Sequence, residues 1–329
     1  MGTGASGMLF CCSDVNNYRA TALGRVRGLN LDGKVYIITG ASGGMGVPTA
    51  AALFEAGASV IIASRSLEKL GKAKQDIINS SRRKDGEEKI KTMKLDMGDY
   101  NSIGSFTDDV SKVFQKVDVL INNAGLHPGN KFAAGKYGWE RSFQVNFLGP
   151  VVLIEKMMPL LQAAPEARIV NLGSLSHIDA PKPIEFSKLP RNADSFGGYD
   201  IDYCEAKWLL SAYTQALNDK LSKGNAKIKA VCADPGISPN SAMWDEQPAP
   251  MRFMVRVCCV CLTHTTEQAA GTPVFAAVSP YENLVGGGYY TNGCLHPPRA
   301  DTKDAENWTN ISALIKKVLP QDLVPKDLF

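Results

Sequence analysis

The sequence predicts an α/β fold built on a parallel β-sheet. Three observations predict it. First, Lys34 to Arg65 reads KVYIITGASGGMGVPTAAALFEAGASVIIASR: a short apolar run, Val35 to Ile38, a glycine turn, a helical stretch from Val47 to Ala56, and a second apolar run, Ser59 to Ala63. Strand, turn, helix and strand over about thirty residues make one βαβ unit. Second, further strand candidates recur at Ile90 to Leu95, Val117 to Ile121, Arg168 to Leu172 and Ile228 to Ala233, with helical stretches between them. Third, the run at Val35 to Ile38 is continuous rather than alternating, which marks a strand buried on both faces.

The bulk numbers narrow the function. The chain has 329 residues and is 44% hydrophobic, enough to build the full core of one large α/β domain. No second domain or internal repeat is visible. A net charge of +3 is too small to argue for nucleic acid. No segment reaches the ~18 uninterrupted apolar residues of a membrane span. No secretory signal is visible at the N-terminus. The eight cysteines show no paired zinc spacing and read as reduced thiols, so no metal is expected.

Residues 1–29 read as a flexible leader, 30–320 as the domain and 321–329 as a short tail. The leader begins Met-Gly-Thr-Gly-Ala-Ser, the M-G-x-x-x-[ST] pattern for myristoylation of Gly2. One acyl chain binds a membrane only marginally, so anchoring needs a second signal. Palmitoylation of Cys11 or Cys12, or the charges of Arg19, Arg25 and Arg27, would supply it. The expectation is a lipidated leader and peripheral membrane contact; the alternative is an unmodified leader where these residues coincide by chance.

The turn runs Thr39-Gly40-Ala41-Ser42-Gly43-Gly44-Met45-Gly46. Glycines permit positive φ and a close ligand approach. The helix that follows offers unpaired N–H groups and a positive dipole end to a phosphate. With Thr39, Gly40, Gly44 and Gly46, the spacing is T-G-x-x-x-G-x-G, which resembles the short-chain dehydrogenase/reductase family. After the second strand of a dinucleotide fold, an acid binds the ribose 2′-OH, whereas an arginine accommodates a 2′-phosphate. Here Ser64 takes the acid's place and Arg65 follows. A guanidinium forks onto a phosphate, so the expected cofactor is NADP(H). It would be held by Gly40, Ser42, Gly43, Gly44, Met45, Gly46 and Arg65.

Leu67 to Ser80 reads as a helix and 82–89 as a solvated charged loop. The strand Ile90 to Leu95 ends at Asp96-Met97, where the resemblance implies adenine contact and the residue types also suit a strand-end cap. Tyr100 to Phe114 is the next helix. The strand Val117 to Ile121 ends Asn122-Asn123-Ala124-Gly125, a complete match to the family's N-N-A-G. The match implies that Asn123, Ala124 and Gly125 line the cofactor site. A long helix is expected from Trp139 to Leu161, with Asn146 inside it. Asparagine is a poor interior helix residue because its amide competes with the backbone. The resemblance implies that Asn146 distorts this helix and holds a water of a proton relay.

Arg168-Ile169-Val170-Asn171-Leu172-Gly173-Ser174 resembles the family's R-I-V-N-V-S-S, which makes Ser174 the catalytic serine and Ser176 the fallback. Tyr203 and Lys207 form Tyr-x-x-x-Lys, and residues four apart on a helix share a face. A free tyrosine, with pKa ~10, is a poor acid–base group near neutrality. A neighbouring ammonium favours the phenolate. Tyr199 is a decoy, because Tyr203 rather than a lysine stands four residues on. After Ile228 to Ala233, Pro235, Gly236 and Ile237 resemble the nicotinamide-side loop, with Ser238, Asn240 and Ser241 as candidate hydroxyl or amide partners. Thr266 to Ala277 reads as a helix, Gly286 to Tyr290 as the last strand and Ala305 to Leu319 as a closing helix.

Two stretches bear on the substrate. Leu175 to Asp202 separate Ser174 from Tyr203, and the polar segment His177 to Gly198, with Pro181, Pro183 and Pro190, resembles the insertion of retinol-dehydrogenase-like members. It is expected to wall the substrate, with His177 structural or on the surface. Met251 to Leu262 is nearly all apolar apart from Arg252 and Arg256. It reads as a substrate lid, an interfacial element or a buried helix.

The motifs occur in family order from Leu31 to Leu319. Together they imply one doubly wound Rossmann domain, with about seven parallel strands and helices on both faces. They imply NADP(H)-dependent interconversion of a carbonyl and an alcohol, with Tyr203 as acid–base group beside Lys207, Ser174 and Asn146. The insertion, the apolar stretch and the leader point to a lipophilic small molecule of retinoid, steroid, fatty-aldehyde or pigment-like type. The expected setting is the cytosol or the cytoplasmic face of a membrane, with a homodimer as the family's frequent form. The alternative is a non-catalytic nucleotide-binding or membrane-anchored scaffold, against which the intact Ser, Tyr and Lys set argues.

Overall fold

Continuous apolar runs become strands whose successive side chains enter two different cores. The computed structural model describes residues 19–83, 85–129, 131–224, 227–239, 253, 263–326 and 328–329. The expectations at Gly2, Cys11, Cys12, Asn240 and Ser241 lie outside the described residues, as does the 251–262 stretch apart from Phe253. In chain order the strands are β1 (Val35–Thr39), β2 (Ser59–Ser64), β3 (Ile90–Lys94), β4 (Val119–Asn122), β5 (Ala167–Leu172), β6 (Ile228–Asp234), β7 (Tyr289–Thr291) and β8 (Cys294–His296). They form one sheet in the order β3-β2-β1-β4-β5-β6-β7-β8.

Register explains the two cores. Ile61, Ile37, Leu120, Ile169 and Ala230 stand side by side across β2, β1, β4, β5 and β6. They face the helices α3 (Tyr100–Val113), α4 (Gly149–Gln162), α5 (Cys204–Ser222) and α7 (Ala305–Val318). One residue on, Ile62, Ile38, Ile121, Val170 and Val231 make a second row on the opposite face. That row meets α1 (Gly46–Glu55), α2 (Leu67–Ser80) and α6 (Gly271–Val278). The sheet is doubly wound, and its strand order reverses between β1 and β4. Ligands of such sheets lie beyond the carboxyl ends of the strands at that reversal.

The structure departs from the sequence-based expectations in several places. An eighth strand, β8, closes the sheet edge as an antiparallel hairpin on β7. The helix expected from Trp139 instead starts with a turn at Arg141–Phe143, passes through a π turn at Gln144–Leu148 and only then becomes α4. The helix expected over 266–277 is two, Thr266–Ala269 and α6. The leader boundary at residue 29 is too late. Thr21 caps a helical turn at Ala22–Arg25, and Ala22 and Val26 are buried in the same core as α6. Arg25 lies over the Phe275 ring, 5.1 Å from its centroid, and donates to the Asn292 carbonyl at 3.2 Å. The tail also returns to the domain: Phe329 packs edge-on against Tyr213, and its carbonyl accepts from the Ser312 hydroxyl at 2.9 Å.

Candidate active site

At the reversal point the glycine turn is shaped by close approach. Gly40 has φ +69°, and a Cβ there would sit 2.8 Å from the Ala124 Cα. A Cβ on Gly46 would sit 2.6 Å from the Ala41 Cα. Both positions therefore require glycine. Gly43 and Gly44 face the other way, with nothing within 4 Å of a built Cβ. Met45 precedes α1 without a side-chain cap, so the first N–H groups of the helix point at that open side. The Asn122–Gly125 tetrad is stitched to β1: Ala124 N–H donates to the Thr39 hydroxyl at 2.9 Å and Asn123 Nδ2 to the Thr39 carbonyl at 2.7 Å.

The other proposed cofactor residues line the same edge. Ser64 is buried at the end of β2, and the next residue, Arg65, is exposed without an ion pair among the described residues. Asp96 takes its capping role, accepting from Gly98 N–H at 2.9 Å. Met97 is buried against Gly149, where a Cβ would stand 2.5 Å from the Met97 carbonyl oxygen. In the loop after β6, Gly236 has φ +70° and its N–H donates to Asp234 Oδ1 at 2.8 Å. The Ile237 carbonyl, two residues after Pro235, accepts from His264 N–H at 2.8 Å. The open turn, the exposed arginine and the capped loop fit an anionic dinucleotide.

Tyr203 and Lys207 converge on the end of β5. Tyr203 closes a second π turn, Tyr199–Tyr203, and Lys207 lies one turn along in α5. Each is 4% exposed. The Lys207 ammonium donates to the Leu172 carbonyl at 2.8 Å and lies 5.7 Å from the Tyr203 ring centroid. Burial pushes its pKa down to about 8, against the opposing charges of Cys232 and Asp234. Two residues beyond Leu172, Ser174 starts a 3₁₀ turn; its hydroxyl accepts from Ser176 N–H at 3.2 Å and donates to Ser176 Oγ at 3.1 Å. The turn from Leu175 to Asp179 packs on both α5 and the Tyr199–Tyr203 turn.

Asn146 lies inside the first π turn, as its misfit with helix predicts. Its Oδ1 accepts from Leu126 N–H at 2.9 Å and its Nδ2 donates to the Leu126 carbonyl at 2.8 Å. Each amide atom keeps one further hydrogen-bonding capacity, which a relay water could use. A Cβ built on Gly125 would stand 3.3 Å from Asn146 Oδ1 and 3.9 Å from Lys207 Nζ, so N-N-A-G, Asn146 and Lys207 meet at one point.

His177 is structural: it is buried, its Nε2 accepts from Arg299 N–H at 3.1 Å, and its Nδ1 lies 2.8 Å from the Ser174 carbonyl. The proton of the neutral ring is therefore assigned to Nδ1. Sequence reasoning missed three residues here. His127 stacks on Tyr203, with centroids 4.2 Å apart and planes 21° apart. Arg191 of the insertion pairs with Glu205 on α5. Asp202, beside Tyr203, accepts from Gly197 N–H at 2.8 Å, and burial raises its pKa to about 6. Only His127 carried a signal, its place two residues after N-N-A-G.

A family model described as short chain dehydrogenase matches residues 34–182. Retinol dehydrogenase 13 of Mus musculus is 28% identical over 301 residues, covering 87% of this chain and 84% of its own length. Among solved structures, an uncharacterised protein from Mycobacterium paratuberculosis superposes with a TM-score of 0.69 at 23% identity, covering 89% of this chain and 96% of its own. The Pseudomonas aeruginosa RhlG/NADP active-site complex does so with a TM-score of 0.60 at 21% identity, covering 80% and 96%. At these identities the structural likeness is one of fold.

Proposed function

The chain belongs to the short-chain dehydrogenase/reductase family, among its retinol-dehydrogenase-like members, and on that premise we propose that it interconverts a carbonyl and an alcohol on a lipophilic small molecule with NADP(H). The observation that carries this reading is the buried Tyr203–Lys207 pair at the carboxyl ends of β4 and β5, next to Ser174. When bound, the nicotinamide supplies or accepts the hydride. Tyr203 donates its hydroxyl proton to the carbonyl oxygen in reduction and removes it from the alcohol in oxidation. With its pKa near 8, Lys207 is an ammonium at neutral pH, and its charge in this buried setting favours the Tyr203 phenolate. Ser174 turns its hydroxyl from Ser176 to the substrate oxygen and stabilises the charge that develops there.

Arg65 supports the choice of NADP(H), as an exposed guanidinium with no ion pair among the described residues, placed where a 2′-phosphate would lie. The lipophilic substrate is supported by the similarity to a retinol dehydrogenase and by the insertion packed on α5. The test is a panel of retinoid, steroid and fatty carbonyls, assayed by cofactor absorbance with NADPH and NADH side by side. Turnover of at least one class with NADPH preferred is expected. NADPH binding without oxidation across the whole panel would favour a non-catalytic nucleotide-binding protein.

A further inference from the structure

The Tyr203 ring has a neighbour that neither N-N-A-G nor Tyr-x-x-x-Lys accounts for. Asn146 grips both backbone groups of Leu126, which fixes the root of the next side chain, His127. The imidazole leaves this anchored point and lies against the Tyr203 ring, 4.2 Å between centroids and 21° from parallel. Both rings are buried, at 6% and 4% exposure. Burial first, and the Lys207 charge second, push the His127 pKa down to about 3. The ring is therefore uncharged near neutral pH, with one nitrogen keeping its N–H and the other a lone pair, and it has no positive charge to lend there. What it presents to Tyr203 is a flat surface that fixes ring orientation and excludes water.

We propose that His127 is a positioning residue for Tyr203: its ring clamps one face of the phenol, holding the hydroxyl toward the substrate oxygen and keeping water from the Tyr203–Lys207 pair. This rests on the reading of Tyr203 as the acid–base group. It makes Asn146 the base of a three-part support, in which the amide sets Leu126, Leu126 sets His127 and His127 sets Tyr203. Without the ring, water beside the phenol would screen Lys207 and the phenol could turn from its reactive orientation.

The experiment compares His127→Ala and His127→Phe with wild type in the full-length protein. Two readouts are used: steady-state kinetics with NADPH and the best carbonyl, and the Tyr203 Cζ resonance of ¹³C-tyrosine-labelled protein, assigned by its loss in Tyr203→Phe. His127→Ala is expected to lower kcat about ten- to a hundredfold with NADPH affinity unchanged, and to move and broaden the Tyr203 resonance. His127→Phe, flat and neutral, should restore both. An unmoved Tyr203 resonance in His127→Ala overturns the proposal whether or not a substrate has been found. Equal loss in the Phe and Ala variants overturns it too, because a purely positional role is met by phenyl. Failure of wild type to oxidise NADPH with any carbonyl falls instead on the functional reading, since the resonance reports on His127 without turnover.

Discussion

Arg191 forks onto Glu205 through two hydrogen bonds, Nε to Oε2 at 2.8 Å and Nη2 to Oε1 at 2.7 Å, with both side chains buried. Glu205 stands between Tyr203 and Lys207 in sequence, so the pair fastens the insertion to the helix that bears the proposed chemistry. The third guanidinium nitrogen donates to the Ser195 carbonyl at 3.3 Å, near the far end of the insertion.

Removing one partner should leave an uncompensated buried charge. Arg191→Met and Glu205→Gln are each expected to cost about 3–5 kcal/mol of unfolding free energy. The double change Arg191→Met/Glu205→Met should recover much of it, because an apolar replacement of both ions has no charge to desolvate. Urea midpoints at unchanged slope are the measurement. Single variants within about 1 kcal/mol of wild type would show that water reaches the pair.

Tyr203→Phe should lower kcat by about 10²–10⁴-fold while NADPH still binds with wild-type affinity by fluorescence titration. Ser174→Ala should cost about 10²–10³-fold through the lost donor to the substrate oxygen. Wild-type turnover in Tyr203→Phe would remove this residue from the chemistry and leave the fold assignment untouched.

Arg65→Ala should weaken NADPH by about 1.5–3 kcal/mol, the worth of a charged hydrogen bond, or roughly ten- to a hundredfold in Kd. NADH, which lacks the 2′-phosphate, should change little. If both cofactors weaken equally, Arg65 shapes the loop rather than reading the phosphate.

Acid stability should expose two opposed groups. His127 is held at about 3, well below its ordinary value, so between those limits the unfolded chain binds the extra proton and stability falls as pH drops. Asp202 is raised to about 6, so the folded chain keeps a proton that the unfolded chain releases, and stability is gained as pH falls through that range. His127→Phe should therefore flatten the acid limb of Tm relative to wild type, whereas Asp202→Asn should steepen it. Thermal melts at steps of pH between about 4 and 7 read both, and a change of the opposite sign in either variant refutes that residue's assigned environment.

Much of the fold was legible because buried parallel strands are continuous apolar runs, as in Val35 to Ile38. The π turn around Asn146 was legible as a residue that helix tolerates badly. The turn at Tyr199–Tyr203 was not, since it contains neither glycine nor proline. Strand β8 is three residues long and half-exposed at the sheet edge, so it needs no apolar run and leaves none. The turn at Ala22–Arg25 joins the domain through the small apolar side chains of Ala22 and Val26 and the contacts of Arg25 with Phe275 and Asn292, which leave no periodic apolar signal. The glycine turn and Tyr-x-x-x-Lys could be read because each is a local pattern. Arg191–Glu205 and His127–Tyr203 are contacts between chain segments that meet only after folding, and no local spacing encodes them.

The acceptor that anchors Lys207 is the main-chain oxygen of Leu172. A side-chain partner can be deleted by one nucleotide change, but a carbonyl on β5 is present whatever residue stands at 172. The anchor is thus inherited with the strand rather than with a particular amino acid, and it survives any substitution that leaves β5 paired to its neighbours. Exposed residues of the segment between Ser174 and Tyr203 can then change without loosening that hold, because the ammonium's acceptor does not depend on them.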